Sequence, residues 1–348
     1  HSKGVLLSHK NIVSNVVSVA QMVGMNKNDV MLSILPLSHT MECTLGLVTP
    51  LMAGASVYYL DRPPTAALLL PALEKVKPTV MLSVPLVIEK IYRMRILPQF
   101  RKNSIIKSLY GTPFIKSKLN KIAGKKLMKT FGGRLRMYCI GGAALAEDVE
   151  KFLRSAGFPY SVGYGLTETS PLATGNPPET FVYRSVGQQI SGVQIKIDNP
   201  DPVTGEGEVL IKGPNVMLGY YNSPEKTNEV FSEEGWFRSG DLGYLDKKGY
   251  LFIKGRIKNI ILGANGKNIY PEEIEQKINE SQYVLESLLL EKNGKLNARI
   301  HLDYKNLDEV FASAKLNDTE IKKEINKIRA SAIKLPRMLT KVFLKSYL

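Results

Sequence analysis

The sequence predicts an α/β protein: a doubly wound sheet forms a large domain with a β-barrel-like subdomain, and a small α+β domain follows at the C-terminus. Upstream of Val182, short β-branched runs such as Val30–Leu35 and Thr79–Val84 alternate with helical stretches. This alternation is typical of a parallel sheet covered by helices on both faces. After Val182, short strands separated by turn residues indicate a small barrel or distorted sheet. We expect a large domain at 1–257, its β-rich subdomain at about 181–255, and a small domain at 258–348.

Size and cysteine content restrict the class of protein. The chain has 348 residues, of which 44% are hydrophobic, so it is long enough for two domains with substantial cores. No apolar run approaches the roughly 18 residues that cross a bilayer. Cys43 and Cys139 are far apart, with neither a CxxC pair nor a histidine pattern beside them. We therefore expect two buried thiols in a reducing compartment, which predicts a cytoplasmic protein.

The positive charge is concentrated in one segment. The formal net charge is +15, and the stretch 90–136 contains 14 Lys or Arg and no Asp or Glu, which leaves about +1 for the remainder. No aromatic stacking pattern, zinc spacing or helix-turn-helix signature accompanies it, so nucleic acid is not an expected partner. Ile105, Leu109 and Ile115 keep helical spacing among the lysines. Such a basic amphipathic segment suits peripheral contact with an anionic membrane, with a solvated helix face as the alternative.

The first elements can be assigned in order. A loop end and a short strand precede a helix that is capped near Ser8 and runs to about Met25. The strand Val30–Leu35 then leads into the turn Pro36–Glu42, which opens a further helix. A β-rich run at Gly54–Tyr59 and a helix from Leu68 to Lys75 follow in the same alternating order.

A glycine pair marks the first candidate ligand site. The strand Arg134–Ile140 runs into Gly141 and Gly142, and a helix is expected from Leu145 to Ala156. Glycines at a strand-to-helix turn let a ligand approach the backbone at the carboxyl end of a sheet, although a plain tight turn would also use them. The GxGxxG pattern of nicotinamide-binding folds is absent here.

The stretch Tyr164–Pro171 is the second candidate. Gly163 and Gly165 permit a sharp turn and close approach to a ligand. Thr167 offers a hydroxyl and Glu168 a carboxylate, a pair that suits a phosphate oxygen and its Mg²⁺. A tight turn with a capping threonine is the alternative.

Two further motifs lie downstream. Asp241, within Gly235–Gly243, is placed among glycines and is a candidate to accept hydrogen bonds from a ribose diol, although it could be a turn residue. Arg256, within Gly255–Asn259, suits nucleotide oxygens through its planar guanidinium. The later run Gly263–Lys267 lacks Walker spacing.

The last segment predicts the small α+β domain. A helix starts at Pro271 with acids in its first turn. Strands at Leu285–Leu290 and Leu296–Leu302 flank an Asn-Gly turn and form a hairpin. A charged helix is expected from about Asp318 to Ala332, and a strand-like run from Met338 to Leu344.

In their order and separation, these four motifs resemble those of the adenylate-forming enzymes: acyl-CoA synthetases, luciferases and peptide-synthetase adenylation domains. The sequence is most similar to long-chain fatty-acid–CoA ligases. The segments that carry this similarity are Ser83–Ile91, Phe131–Arg136 and the basic helical stretch between them. The resemblance implies ATP, Mg²⁺ and CoA as cofactor and substrates, with a fatty acid as the acyl donor. It places Pro36–Glu42 beside the acyl pocket, where His39 borders the carboxylate or is simply structural.

The resemblance also implies residue roles. Thr167, Glu168 and Lys258 are expected to act in catalysis, with Glu168 holding the metal and Lys258 at the hinge of the small domain. The nucleotide and CoA would be bound by the following residues: Lys3, Gly142, Ala143, Ala144, Tyr164, Gly165, Thr167, Asp241, Arg256 and Gly266.

The chain departs from the family pattern at both ends. The Ser/Thr/Gly-rich phosphate loop expected before Lys3 and the lysine loop expected after Leu348 are missing. We therefore interpret the sequence as a fragment and do not expect full adenylation activity from it alone. Two alternatives to a CoA ligase stay open: an adenylating ligase that delivers the acyl group to a carrier protein, and a non-catalytic nucleotide-binding or membrane-docking fragment.

Overall fold

The computed structural model describes residues 3–62, 64–101, 112–262, 268–281, 283–292, 295–303 and 339–344. The chain divides into two compact units, His1–Ile253 and Lys254–Leu348. This division falls four residues before the domain boundary expected after residue 257.

The first unit carries most of the regular structure. Its strands are β1 Val5–Leu6, β2 Val30–Ser33, β3 Ser56–Tyr59, β4 Val80–Ser83, β5 Met137–Ile140, β6 Tyr160–Val162, β7 Thr174–Gly175, β8 Gln188–Gln189, β9 Gln194–Asp198, β10 Gly207–Lys212, β11 Gly219–Tyr220, β12 Phe237–Leu245 and the start of β13 Leu251–Arg256. Its helices are α1 His9–Val23, α2 Thr49–Met52, α3 Ala66–Val76, α4 Pro85–Ile91, α5 Leu97–Arg101, α6 Pro113–Thr130, α7 Glu147–Ala156 and α8 Pro224–Glu229.

A five-stranded parallel sheet forms the centre of this unit, in the order β3-β2-β4-β5-β6. The chain moves outward from β2 to β3 and then returns to place β4 on the other side of β2. This reversal is the switch point of a doubly wound sheet, and ligands of such folds bind beyond the carboxyl ends of the strands. The α/β doubly wound fold expected from the sequence is therefore confirmed.

The two faces of the sheet bury different helices, because neighbouring residues of a strand point to opposite sides. Met31, Val80 and Met137 pack on one face against Val19 and Val23 of α1. The alternate strand residues pack on the other face with side chains of α3, α6 and α7, and this larger core contains Leu32, Met81, Tyr138, Leu73, Leu127 and Leu153. Helices on both faces explain why the strands read as continuous apolar runs.

The β-rich region contains a four-stranded antiparallel sheet in the order β13-β12-β10-β9. Its core includes Val209, Ile211, Phe237 and Leu251, each at most 2% exposed. The register between β10 and β12 shifts between Glu208 and Leu210. Such a shift bends the strand, as expected for a distorted sheet.

The second unit contains the end of β13, two short strands, a helix and a three-stranded sheet. The elements are β14 Ile261–Leu262, β15 Asn268–Ile269, α9 Pro271–Asn279, β16 Val284–Lys292, β17 Lys295–Leu302 and β18 Leu339–Leu344. The predicted hairpin is present, since β16 pairs antiparallel with β17, and β18 adds to β17 in parallel. The helix expected at Asp318–Ala332 lies outside the described residues.

One predicted helix has an unexpected form. After the turn at Pro36–Thr40 the chain adopts a π-helix over Met41–Val48. A β-carbon at Gly46 would fall on the Glu42 carboxyl group, so the wider turn places a bulky acid directly against a glycine. Single π-helical turns are frequent at functional sites. No helix in the described part of the chain has the length and apolar character required to cross a membrane.

Candidate active site

The two glycine-containing loops predicted to bind a ligand lie side by side. Parallel strands β5 and β6 are neighbours, with Ile140 opposite Val162, so the loops that follow them start at the same edge of the sheet. The Gly163 amide donates to the Ile140 carbonyl at 2.9 Å and extends this pairing into the loops. The sheet thus brings Gly142 and Gly165 to one site at its carboxyl edge.

The loop after β5 presents exposed backbone. Gly142, Ala143 and Ala144 are all exposed, and Gly142 has a φ of +85°, which favours glycine. The base of this loop is held at Ala146, whose amide donates to Oε1 of Glu89 at 2.8 Å. Helix α7 begins at Glu147, directly after this bond and two residues after the predicted start. The loop can therefore offer backbone atoms to a flat ligand without obstruction by a large side chain.

The loop after β6 is closed on itself. Tyr164 forms two backbone hydrogen bonds with Thr174, of 3.1 and 3.0 Å. A β-carbon at Gly165 would fall on the Pro171 carbonyl oxygen, so only glycine fits there. Thr169 accepts from the Leu166 amide at 2.9 Å and donates to the Pro171 carbonyl at 2.7 Å. This internal bonding buries Thr169 and leaves its neighbour Thr167 exposed.

Two buried asparagines hold the same loop from outside. The Nδ2 atom of Asn15, on α1, donates to the carbonyls of Thr169 and Leu172 at 3.2 and 2.7 Å. The Nδ2 atom of Asn215 donates to the same two carbonyls at 3.1 and 2.9 Å. Both side chains are at most 1% exposed. Because buried carbonyls need partners, these paired donors fix the backbone next to Glu168.

Glu168 lies beside a tyrosine and a lysine. The Tyr220 hydroxyl donates to Oε1 of Glu168 at 2.9 Å. Strand β11 pairs with β1, with Tyr220 opposite Val5, and this pairing brings the N-terminal Lys3 to the ring of Tyr220, with 4.4 Å from Nζ to the ring centroid. An ammonium at this distance from a tyrosine ring makes a cation–π contact. One tyrosine thus contacts both Glu168, the candidate metal ligand, and Lys3, a candidate nucleotide-binding residue.

Asp241 is connected to the same loop. It lies on β12, is 5% exposed, and its Oδ2 accepts a hydrogen bond of 2.6 Å from the Tyr164 hydroxyl. Its amide donates to the Ser239 hydroxyl at 3.0 Å. The expected ribose-binding carboxylate and Tyr164, a candidate nucleotide-binding residue, therefore contact each other directly, although they are separated by 77 positions. One Asp241 oxygen is engaged by protein, which the sequence alone does not indicate.

The turn after β2 lies at the switch point of the sheet. His39 is exposed, while Glu42 behind it is 1% exposed. Burial raises the pKa of the Glu42 carboxyl group, and the nearby Ser33 hydroxyl only partly offsets this shift. Met41 packs on Gly141, since a β-carbon there would lie 2.8 Å from its sulfur. The turn at Pro36–Glu42 therefore contacts the glycine turn at Gly141.

The remaining predicted residues lie in the second unit or outside the described residues. Arg256 ends β13 and Lys258 lies in a short turn at Ile257–Asn259, both within the second unit. Gly266 lies outside the described residues. The convergence of Arg256 with Asp241 and Glu168 stays a prediction.

The donor set fits a magnesium ion that arrives with phosphates. Glu168 supplies one hard carboxylate with an exposed threonine beside it. In the described part of the chain, no three His, Cys, Asp or Glu side chains form a group that could hold a metal alone. Mg²⁺ commonly uses one or two protein carboxylates plus substrate phosphate oxygens, and this arrangement agrees with that chemistry.

Sequence reasoning did not identify Tyr220, Asn15 or Asn215. For Asn15 a signal was present, because Asn11 and Asn15 are polar residues four apart on the buried face of α1. The Nδ2 atom of Asn11 donates to the carbonyls of Pro214 and Val216, both at 2.7 Å. The two asparagines of α1 thereby join the loop that carries Asn215 to the loop that carries Glu168.

Curated relatives of the chain are fatty-acid ligases. It is 32% identical over 313 residues to the long-chain-fatty-acid–CoA ligase ACSBG2 of Xenopus laevis. The aligned region covers 83% of this chain and 42% of the relative. It is 34% identical over 309 residues to long-chain-fatty-acid–CoA ligase 2 of Schizosaccharomyces pombe, with coverages of 81% and 45%. The chain thus spans less than half the length of these relatives.

Solved structures agree with the fold. ATP-bound MatB from Rhodopseudomonas palustris matches with a TM-score of 0.71 and 26% identity, covering all of this chain and 62% of that one. The O-succinylbenzoate coenzyme A synthetase MenE from Bacillus subtilis, in complex with AMP, matches with a TM-score of 0.71 at 23% identity, covering 99% and 63%. The model of the AMP-binding enzyme family matches residues 1–221. The cluster at the carboxyl edge of the sheet and this match together establish that the chain belongs to the AMP-binding, adenylate-forming enzyme family.

Proposed function

We propose that this chain forms most of the nucleotide site of a long-chain fatty-acid–CoA ligase that works through an acyl-adenylate. The observation that carries the proposal is the single site at the carboxyl edge of the sheet. There the Gly142–Ala144 loop adjoins the loop with Thr167 and Glu168, and Tyr164 joins this loop to Asp241 at 2.6 Å. A glycine-lined backbone, a hard carboxylate and a buried aspartate together suit a nucleoside triphosphate and its metal.

The proposed reaction has two steps. The fatty-acid carboxylate attacks the α-phosphorus of ATP, a P–O bond forms, and the bond to the β-phosphate breaks to release pyrophosphate. The thiol sulfur of CoA then attacks the acyl carbonyl, loses its proton to solvent, and AMP leaves with the electron pair of the broken C–O bond. Adenylation is needed because a free carboxylate has no good leaving group. No protein nucleophile is required, so catalysis consists of positioning and charge neutralisation.

Each candidate residue has a role in that scheme. Bound Mg²⁺ would neutralise phosphate charge. Glu168 would hold this ion, Thr167 would donate to a phosphate oxygen, and Lys3 would attract the triphosphate. Asp241 would accept from the ribose hydroxyls, with its orientation set by Tyr164. Gly142, Ala143 and Ala144 would contact the base through their backbone, and Gly165 would allow the close turn of its loop. Arg256 would contact the nucleotide. Lys258 would lie at the hinge of the small domain, and Gly266 would contact the CoA arm.

The fatty-acid assignment rests on the relatives and on the acyl-side turn. The curated relatives are named long-chain-fatty-acid–CoA ligases. The π-helix after His39 lies at the switch point of the sheet and contacts the glycine turn through Met41. An acid bound at this crevice would have its carboxylate beside the nucleotide site.

The test uses the full-length protein with both flanking segments. With ATP, hydroxylamine and a series of fatty acids, acyl-hydroxamate should form and should increase with chain length into the long-chain range. Glu168→Gln should lower this rate by about 100-fold or more, as expected for removal of a transition-state electrostatic contact. Glu179→Gln, an exposed acid on a neighbouring turn, is the matched control and should retain the rate. Full activity of Glu168→Gln would contradict the assignment, and no hydroxamate with any acid would favour a non-catalytic nucleotide-binding protein.

The acceptor is tested separately. Free CoA should accept the acyl group from the adenylate, whereas transfer only to the phosphopantetheine of an acyl carrier protein would replace the CoA-ligase proposal by the carrier-protein alternative.

We also propose that helix α6 makes peripheral contact with an anionic membrane surface. Phe114, Lys118 and Ile122 are spaced four apart on one face of α6, where Phe114 is 69% exposed and Ile122 is 56% exposed. The Lys118 ammonium lies 4.5 Å from the Phe114 ring centroid. Exposed apolar side chains among lysines suit the boundary between anionic headgroups and acyl chains.

Vesicle binding checks this contact. The protein should sediment with phosphatidylcholine vesicles that contain phosphatidylserine, and less with phosphatidylcholine alone. Phe114→Ser with Ile122→Ser should weaken binding several-fold, by roughly the free energy of two exposed apolar side chains. The matched control replaces Val203 and Leu218, which are 92% and 67% exposed, by serine. Equal weakening by both pairs would contradict a contact specific to α6.

A further inference from the structure

A basic cleft lies at the opposite edge of the central sheet from the candidate active site. Helices α3, α6 and α7 end immediately before β4, β5 and β6, so their C-termini meet at the amino ends of these strands. The cleft between them has a volume of about 710 Å³. Its lining residues are Glu74, Lys77, Lys121, Gly124, Lys125, Met128, Lys129, Gly132, Gly133, Ala156 and Gly157. None of these residues belongs to the proposed nucleotide or acyl site.

Backbone forms the floor of this cleft. Four of the lining residues are glycines, and two of them are glycine because another chain segment comes too close for a side chain. A β-carbon at Gly124 would fall on the carbonyl oxygen of Ala156, at the end of α7. A β-carbon at Gly132 would lie 2.6 Å from the α-carbon of Lys77. These two glycines therefore let α6 and the residues after it pack closely against the ends of α7 and α3, at the place where the cleft lies.

Four lysines form the walls. Lys121, Lys125 and Lys129 follow each other at four-residue spacing along α6, and Lys77 follows α3. All four are exposed, and none forms an ion pair with a carboxylate in the part of the chain that the structure describes. Glu74 is the single acid among the lining residues. Like charges at this spacing destabilise a helix slightly, so the arrangement has a cost in the unliganded protein.

Stabilisation of the helix ends does not account for this arrangement. A cation in the last turn of a helix interacts favourably with the C-terminal carbonyls, but the effect falls off within that turn. Lys129 lies in the last turn of α6, which ends at Thr130. Lys125 and Lys121 lie one and two turns earlier. Proximity to the helix end therefore does not explain Lys121 and Lys125, which border a cleft that is open to solvent.

We propose that this cleft binds a multiply phosphorylated anion. The three lysines of α6 extend over about 12 Å of helix, since each residue adds about 1.5 Å, so one phosphate group cannot contact them all. A ligand with two or more phosphate groups can contact the α6 lysines and Lys77 together. Two sources carry this chemistry: a phosphorylated headgroup at a membrane surface, or a free polyphosphate ester in solution. The inference does not depend on the acyl-ligase reaction, because the site lies at the other edge of the sheet.

The experiment measures binding of inositol trisphosphate to the full-length protein by calorimetry at physiological ionic strength. The triple variant Lys121→Gln, Lys125→Gln, Lys129→Gln should weaken binding by about tenfold or more, because charge-assisted hydrogen bonds are lost. The matched control, Lys75→Gln, Lys116→Gln, Lys126→Gln, removes the same charge from exposed lysines outside the cleft. It should leave binding within about threefold of the unaltered protein, since these side chains do not line the cleft and make no direct contact with its ligand.

A second arm identifies the source. Phosphatidylcholine vesicles with phosphatidylinositol bisphosphate are compared with vesicles of equal charge that contain phosphatidylserine. If the unaltered protein prefers the bisphosphate vesicles and the cleft variant does not, the ligand is a lipid headgroup. If the protein shows no such preference but binds the soluble ester, the ligand is a free anion. Equal weakening by the two triple variants, or no saturable binding in either arm, overturns the proposal. Hydroxamate formation by the cleft variant should be unchanged, so failure here is distinct from failure of the ligase.

Discussion

The Tyr220 hydroxyl donates a hydrogen bond of 2.9 Å to Oε1 of Glu168, while the ring of the same tyrosine carries the Lys3 ammonium on its face, 4.4 Å from the centroid. This relationship joins three segments that are distant in sequence. It also defines which oxygen of Glu168 is engaged by protein and how the first described residue of the chain is positioned.

The Tyr220–Glu168 bond yields the first prediction. Tyr220→Phe keeps the ring beneath Lys3 but removes the donor, and a hydrogen bond to a charged group is worth about 1.5–3 kcal/mol. We expect the adenylation rate to fall by roughly tenfold and the Mg²⁺ concentration for half-maximal rate to shift. Hydroxamate formation titrated with Mg²⁺ measures both. Tyr221→Phe, at the neighbouring exposed tyrosine, is the control and should behave as the unaltered enzyme. An unchanged Mg²⁺ dependence in Tyr220→Phe would separate Glu168 from the metal.

The Tyr164–Asp241 bond yields the second prediction. Asp241→Asn removes the charge that would accept from the ribose and should raise the KM for ATP by about tenfold or more, because hydrogen bonds to charged groups are the stronger class. Tyr164→Phe should raise the same KM by a smaller factor, since it frees the orientation of Asp241 without removing it. Steady-state kinetics with varied ATP separates KM from kcat. A fall in kcat alone, with KM for ATP unchanged in both variants, would exclude a ribose contact.

Gly165 provides a test of the loop itself. Gly165→Ala places a methyl group on the Pro171 carbonyl oxygen, where the internal hydrogen bonds of Thr169 prevent retreat. Overpacking of this kind costs about 1–3 kcal/mol, so both the adenylation rate and the melting temperature should fall. Gly163→Ala is the control, because its new methyl group would meet mainly the Leu172 side chain, which can rotate. Equal stability of the two variants would show that the 164–172 loop tolerates displacement.

Glu42 provides a pH-dependent prediction. Burial raises the pKa of this carboxyl, and the nearby Ser33 hydroxyl only partly offsets that shift. A group with a raised pKa in the folded state contributes stability below its ordinary pKa and loses it as pH rises through the folded value. Glu42→Gln keeps the shape without the charge, so it should raise the melting temperature at pH 8 and leave it unchanged near pH 4. Melting curves across this range test the prediction. Destabilisation by Glu42→Gln at pH 8 that disappears near pH 4 would instead indicate an ionised carboxylate with a partner.

The fold was accessible from local patterns. Continuous apolar strands, alternation with helices and glycines at the strand ends indicate a parallel sheet and its carboxyl edge without any long-range information. The loops at Gly142 and Gly165 were identified because a backbone that must approach a ligand needs glycine in the sequence itself. The π-helix at Met41–Val48 was not predicted, since helical periodicity does not reveal the extra residue in its turn.

The site shows where sequence reasoning stops. Asn15, Asn215 and Tyr220 contact the Glu168 loop from three separate elements, and their side chains carry no local mark of that contact. The lysines of α6 appear in the sequence as one basic segment. Part of that segment borders a cleft only because Gly124 packs on Ala156 and Lys77 lies at the end of α3.

By itself the sequence determined the class of fold, the order of its motifs and the chemical types at the site, because strand alternation, glycine turns and carboxylates are properties of short stretches. Only the tertiary structure decided which oxygen of Asp241 meets Tyr164, which tyrosine supports Glu168 and where the positive charge forms a cleft. Those contacts depend on side-chain direction and on strand pairing across many residues, and a linear pattern contains neither.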